Sequence, residues 1–192
     1  LEDDLIARIQ DRTVLAANAA AASTKCRQVA NGGVYVEDEE PSAKKREWVK
    51  LHEAKVDALE DLVAELQGSP LLVAYDFGHD LARLQARFGK DVPYLGGGVT
   101  AKRSAELESL WNAGKLPLLL GHPQAMAHGL NLQGAGNHVC WFALTWNYEL
   151  YDQLIRRVLR QGNKAARVFV HHLITRGTID EDVLAAVRSK RK

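Results

Sequence analysis

The stretch "YDQLIRRVLRQG", Tyr151 to Gly162, places three arginines within five positions. A guanidinium is planar, permanently charged and carries five donors, so two on one face make a fork for an anion, phosphate above all. Tyr151, Leu154, Ile155, Val158 and Leu159 recur at spacings of three and four, which predicts a helix with one buried stripe. On it Gln153, Arg157 and Arg160 follow at i, i+4 and i+7 and share one edge, whereas Arg156 points elsewhere. Arg156 also has Asp152 one turn earlier in the favourable acid-first order. Arg157 and Arg160 have no carboxylate among their helical neighbours Gln153, Leu154, Arg156, Gln161, Asn163 and Lys164. Either both forks reach into water or a distant acid, as on most helix surfaces, or they hold an anion between them.

Other candidate chemistry narrows quickly. "GGGVTAKRS" invites a phosphate-loop reading, but counting from Gly96 the second glycine of GxxxxGK[ST] is Ala101, and Arg103 stands where Ser or Thr is required. The dinucleotide pattern ending GxGxxA is met, yet no acid follows the next strand at the expected distance. What fits is a flexible turn with a helix start capped at Thr100, where backbone amides can contact a nucleic-acid phosphate. His122, His128, His138, His171 and His172 form no i, i+4 pair with a neighbouring acid, so no metal site is expected. GxSxG is absent, and no paired carboxylates fall at strand ends. The segment "PQAMAHGLNLQGAGNHV" is glycine-punctuated and polar, a loop rather than a crossover helix.

Elements must position these groups. Residues 1 to about 30 read as helix from Asp3 and Asp4 through the alanine run, and "NGGVYVEDEEPSAKK" as a loop or short hairpin. A second helix carries Trp48, His52, Val56, Leu59, Val63 and Leu66 on one stripe, with His52 packed, until Gly68 and Pro70 stop it. From Leu71 short apolar runs alternate with amphipathic segments: "LLVAY", "VPYL", "PLLLGH", "NHVCWFA" and "ARVFVHHLI" read as strands with helices between or after them. The pattern predicts an α/β fold, a parallel sheet with helices on both faces, and ligands at the carboxyl ends of its strands.

At 192 residues and 46% hydrophobic content the chain buries a proper core as one domain or one domain with an appendage. Up to Pro70 it holds 9 Lys and Arg against 14 Asp and Glu (net −5), and beyond it 16 against 10 (net +6), so the second part suits a polyanion. The "SKRK" end supplies three of those cations. Cys26 and Cys140 lie far apart, which argues against a disulfide framework and for a reducing compartment, with cytoplasm the default. No membrane span is expected, because no apolar run approaches the roughly 18 residues one needs. The missing initiator methionine suggests a piece of a longer protein.

From Leu71 onward the order of features resembles the second RecA-like lobe of the Swi/Snf-type DNA translocases of helicase superfamily two. "LLVAYDF" is similar to motif IV, and "YLGGGVTAKRSAELESLWNAG" to the segment after it. "AMAHGLNLQGAGNHVCWFALTWN" resembles motif V and its continuation, "QLIRRVLRQG" motif VI, and "VFVHHLITRGTIDEDVL" the closing strand and helix. Upstream, "KCRQVANGGVYV" and "HEAKVDALEDLV" look like the helical region preceding this lobe in phage and prophage members. The resemblance implies residues 1–70 as a helical region with a loop or short hairpin, and 71–192 as the C-terminal RecA-like lobe.

It further implies that Arg157 and Arg160 are catalytic, reaching ATP held with Mg mainly by an absent first lobe, one of them an arginine finger. Gln153 and the motif V residues Gly129, Leu130 and Asn131 are implied at the nucleotide, and the glycine turn and helix start at Gly98, Thr100, Lys102 and Arg103 are the candidates for the backbone of duplex DNA. The implied partners are therefore the N-terminal RecA-like lobe of the same protein and DNA. Two departures stand out: Asn163 replaces the glutamine that often ends motif VI, and "VCWFALTWN" lacks the acid common before the WN pair. The chain contains no phosphate-binding loop and no DEAH-like segment, so alone it is expected not to hydrolyse ATP. The alternative is a non-catalytic nucleic-acid or protein binding module on the same fold.

Overall fold

The computed structural model describes residues 6–9, 12–36, 46–127, 129–163, 165 and 167–190. Five parallel strands form the central sheet: β5 (Leu71–Ala74), β6 (Tyr94–Leu95), β7 (Leu118–Gly121), β8 (His138–Trp141) and β9 (Phe169–His172), in the order β6-β7-β5-β8-β9. Alternation along β5 sends Leu72 and Ala74 to one face and Leu71 and Val73 to the other, all at most 1% exposed. The first face is covered by α4 (Ala101–Asn112), α6 (Tyr148–Val158) and α7 (Ile179–Lys190), through Trp111, Leu154 and Val183. The second is covered by α2 (Ala54–Glu65) and α3 (Gly78–Phe88), through Val56, Leu59 and Leu84. A sheet buried on both faces explains why its strands read as unbroken apolar runs. A short helix, α5 (Pro123–Ala127), follows β7 and leads into the glycine-rich loop.

The first thirty residues differ from expectation. Instead of one long helix, β1 (Ile6–Ile9) pairs antiparallel with β2 (Arg12–Leu15), and α1 spans only Ala19–Asn31. The β-branched Ile6, Ile9, Thr13 and Val14 favour strand pairing. Extended Asn18 then restarts the chain as a helix, its side chain accepting from the Ala21 amide at 2.9 Å. The helix start expected at Asp3 and Asp4, the acidic run at 37–40, His128 and the final two residues of "SKRK" lie outside the described residues.

The second helix is also shorter than its apolar stripe. Trp48 belongs to β4 (Trp48–Lys50), which pairs antiparallel with β3 (Gly33–Tyr35), and His52 lies in the connection to α2. Gly32 O accepts from both Leu51 N and His52 N, at 2.9 and 3.3 Å, which holds this stretch extended. His52 is half-buried, its Nε2 3.0 Å from Val29 O.

Polar groups tie these early elements to the carboxyl end of the sheet. Lys55 of α2 pairs with Asp180 of α7 at 2.6 Å, both side chains at most 3% exposed, and also donates to Asn31 Oδ1 at 2.8 Å. Asn31 in turn donates to Asp80 at 3.0 Å. Arg83 donates to Asn31 O and His52 O at 2.6 and 2.7 Å. Among the described residues no helix is long and apolar enough to cross a membrane.

Candidate nucleotide and nucleic-acid site

α6 is capped by Asn147, whose side chain accepts from the Leu150 amide at 3.2 Å. It ends at Val158, two residues before Arg160. Leu159 leaves the helical conformation at ψ 69°, and Asn163 Nδ2 donates to Val158 O at 2.9 Å and to Gly136 O at 3.2 Å. Arg160 therefore sits in the turn beyond the helix, not on its third turn as the spacing predicts. Asn163, where the sequence departs from the motif VI pattern, caps the carbonyl end and ties it to the loop before β8. Gln153, Arg157 and Arg160 nonetheless line one shallow depression of about 430 Å³, with Arg156, Leu159 and Gln161.

The cations around this depression differ in what they touch. Arg156 donates to Asp152 at 2.5 Å, the pairing its spacing predicts, yet it borders the same depression. Gln153 donates to Glu149 at 2.9 Å, and Arg157 is half-buried. Arg160 Nη1 donates to Asn131 Oδ1 at 2.7 Å. An amide oxygen accepts the bond without cancelling the charge, so the guanidinium keeps its pull on an anion.

Asn131 is itself held by α4. Its amide donates to Glu108 Oε1 at 2.9 Å, and its carbonyl accepts from Asn112 Nδ2 at 2.8 Å. Trp111 Nε1 donates to Leu132 O at 3.0 Å, and Gly134 N to Asn112 Oδ1 at 2.9 Å. The glycines of this loop permit that approach: a Cβ on Gly134 would meet Asn112 at 2.7 Å, and one on Gly136 the Trp111 ring at 2.6 Å. Of the other expected motif V residues, Leu130 packs against the core and Gly129 is exposed with open space above it.

This cluster lies at the amino ends of the strands, since Asn163 meets Gly136 just before β8. The fold pattern places ligands at the opposite, carboxyl ends. There, Gly98 lies in a turn at φ +83° and Thr100 Oγ1 accepts from the Arg103 amide at 3.2 Å, the expected cap. Gly98, Thr100 and Arg103 line a cavity of about 380 Å³ that also includes Lys90 and Asp91. Arg103 pairs with Glu106 at 2.8 Å, and Lys102 is exposed outside that lining.

Sequence reasoning missed a second polar group at the carboxyl ends. Asp76, just past β5, pairs with Arg27 of α1 and lies 3.3 Å from His122, just past β7. Arg27 Nε also donates to Leu144 O at 3.0 Å, bridging the segments that follow β5 and β8. Burial by itself would raise the Asp76 carboxyl; the His122 hydrogen bond and the Arg27 guanidinium outweigh it and hold the group below its usual range. Asp76 and His122 could have been suspected from their positions after apolar runs, but Arg27 carries no local signal.

The family described as "Helicase conserved C-terminal domain" matches residues 54–162. The chain is 37% identical over its whole length to protein p41 of Acyrthosiphon pisum secondary endosymbiont phage 1, of which it spans 40%. It is 28% identical over 82% of its length to a Bacillus subtilis (strain 168) protein named as an ATP-dependent helicase/translocase, YwqA, of which it spans 17%. Among solved structures, the C-terminal part of the Fun30 ATPase domain aligns with a TM-score of 0.60 at 24% identity, covering 69% of this chain and 44% of that one. The Sulfolobus solfataricus SWI2/SNF2 ATPase core domain aligns at 0.57 and 23%, covering 72% and 29%. The chain belongs to the helicase conserved C-terminal domain family, and its fold is the α/β RecA-like fold shared with these ATPase structures.

Proposed function

We propose that this lobe supplies the trans-acting half of an ATP site in a DNA-stimulated motor. The observation that carries the reading is the 2.7 Å bond from Arg160 to Asn131, which joins the motif VI-like turn to the motif V-like loop beside Arg157. Two guanidiniums bordering an open depression suit the triphosphate of ATP, which with Mg supplies the phosphoryl group and is held mainly by a first lobe. Closing the lobes brings Arg157 and Arg160 to the phosphates, where one stabilises developing negative charge. Gln153 and the Gly129–Asn131 loop border the nucleotide. The opposite rim, with Gly98, Thr100, Lys102 and Arg103, grips the DNA backbone through phosphate contacts, hence with little sequence preference and strong salt dependence. Cycling between open and closed lobes moves the two DNA grips relative to one another. The lobe alone does not turn over ATP.

The test is DNA-stimulated ATP turnover by the longer protein carrying both lobes, comparing wild type with Arg157→Ala and Arg160→Ala at equal thermal stability. Loss of turnover with DNA binding retained supports the reading. Unchanged turnover in both variants, or none in the wild type, overturns it and leaves a binding module.

A further inference from the structure

The loop bearing Asn131 takes its position from one helix. Two side chains of α4, Glu108 and Asn112, bond the amide and the carbonyl of Asn131, and Asn112 also takes the Gly134 amide. Every one of these is a side-chain bond to the loop's backbone, so the loop follows α4 whatever its own side chains do. From Asn131 a single further bond reaches Arg160. At its other end, α4 starts from Thr100, whose hydroxyl caps it beside the Gly98 turn. Twelve residues at about 1.5 Å each make α4 a rod of about 18 Å between the two rims of the lobe.

We propose that Glu108 and Asn112 are positioning residues for Arg160: they fix Asn131, which sets where the guanidinium stands before the lobes close. The inference rests on the proposed ATP reading. Through the rigid body of α4 a phosphate contact at Gly98 and Thr100 is felt at Arg160, which makes these two side chains the link between DNA engagement and ATP turnover.

The experiment uses the longer protein with both lobes, measuring kcat and KM for ATP at saturating DNA together with the midpoint of thermal unfolding. Losing one bond of this kind corresponds to about a fivefold to tenfold effect, so Glu108→Ala is expected to lower kcat by that factor with KM unchanged. Glu108→Gln, which keeps the acceptor for the Asn131 amide, restores it. Asn112→Ala, which loses the bonds to both Asn131 O and the Gly134 amide, is expected to fall at least as far as Glu108→Ala. A double-mutant cycle separates positioning from mere support: in the Arg160→Ala background Glu108→Ala adds nothing further. The proposal is overturned if Glu108→Ala costs the same factor with and without Arg160, or if Glu108→Gln is as impaired as Glu108→Ala. Active wild type with unaffected Glu108 variants removes this inference alone; inactive wild type removes the ATP reading with it.

Discussion

The two edges of the sheet handle charge in opposite ways. Past the carboxyl ends of β5 and β8, away from the exposed rim of Lys102 and Arg103, ion pairs are drawn inward: Lys55 and Asp180 face each other in the interior, and Arg27 gives its donors to Asp76 and Leu144 O. At the amino edge Arg160 is exposed and rests on a neutral amide, and Arg157 borders the same open depression. A buried charge without its partner costs several kcal/mol, so these inward pairs are committed to holding the chain together. A cation resting on an amide gives up little when it turns to an incoming phosphate. Crowded charge is thus informative only with its partners in view.

The sharpest way to break this contrast is to remove one cation from each edge. At the amino edge, Arg160→Ala is expected to lower ATP turnover of the two-lobe protein by about 10³-fold or more. The unfolding free energy of the lobe should move by less than about 0.5 kcal/mol, as for ordinary surface changes. At the carboxyl edge, Lys55→Ala leaves Asp180 buried without its cation and is expected to cost about 3–5 kcal/mol, read by urea unfolding. The paired replacement Lys55→Met with Asp180→Leu should recover part of that loss, the remainder being the partners that Asn31 Oδ1 and the Thr175 amide lose. An amino-edge variant that unfolds the protein, or a carboxyl-edge variant that does not, would erase the distinction.

A smaller effect comes from the helix that spans both edges. Thr100→Ala removes the cap of α4 and should cost about 1 kcal/mol, whereas Thr100→Ser should be near neutral.

The finest probe is pH. Asp76 titrates below its unfolded value, so its contribution to stability is fully present above the ordinary carboxylate pKa and is lost as pH falls through the lowered folded one. The stability difference between wild type and Asp76→Asn should accordingly shrink on acidification. Arg160 rests on an amide rather than a carboxylate, so the difference between wild type and Arg160→Ala should show no such convergence.

The sheet was legible because strands buried on both faces leave unbroken apolar runs such as "LLVAY", bounded by Gly and Pro. The first fifty residues were less legible, because the alanine run after Asn18 extends a helical reading back over a β-branched segment that pairs as β1 and β2, and Trp48 fits the stripe of α2 by spacing while its pairing partner makes it strand. For the candidate site, "RRVLRQG" exposed the arginines through their missing local acids. The sequence did not show that Arg160 leaves the helix, since that depends on Asn163 bonding backward to Val158 and Gly136. Nor did it show Glu108 and Asn112 beneath the loop, because a helical glutamate and a helix-end asparagine look idle until the chain folds back. Arg27 and Asp76, 49 residues apart, meet only in three dimensions.

The bond from Thr175 Oγ1 to Ala30 O joins residues 145 positions apart. A ribosome adds about 5–20 residues per second, so the early half of this seam emerges roughly 7–30 s before its partner. Asn31 and Lys55 must stay hydrated through that interval, until α7 arrives with Asp180. Ribosome pausing within that stretch would prolong the exposure of this edge, which Asp180 of α7 covers only once that helix has been made.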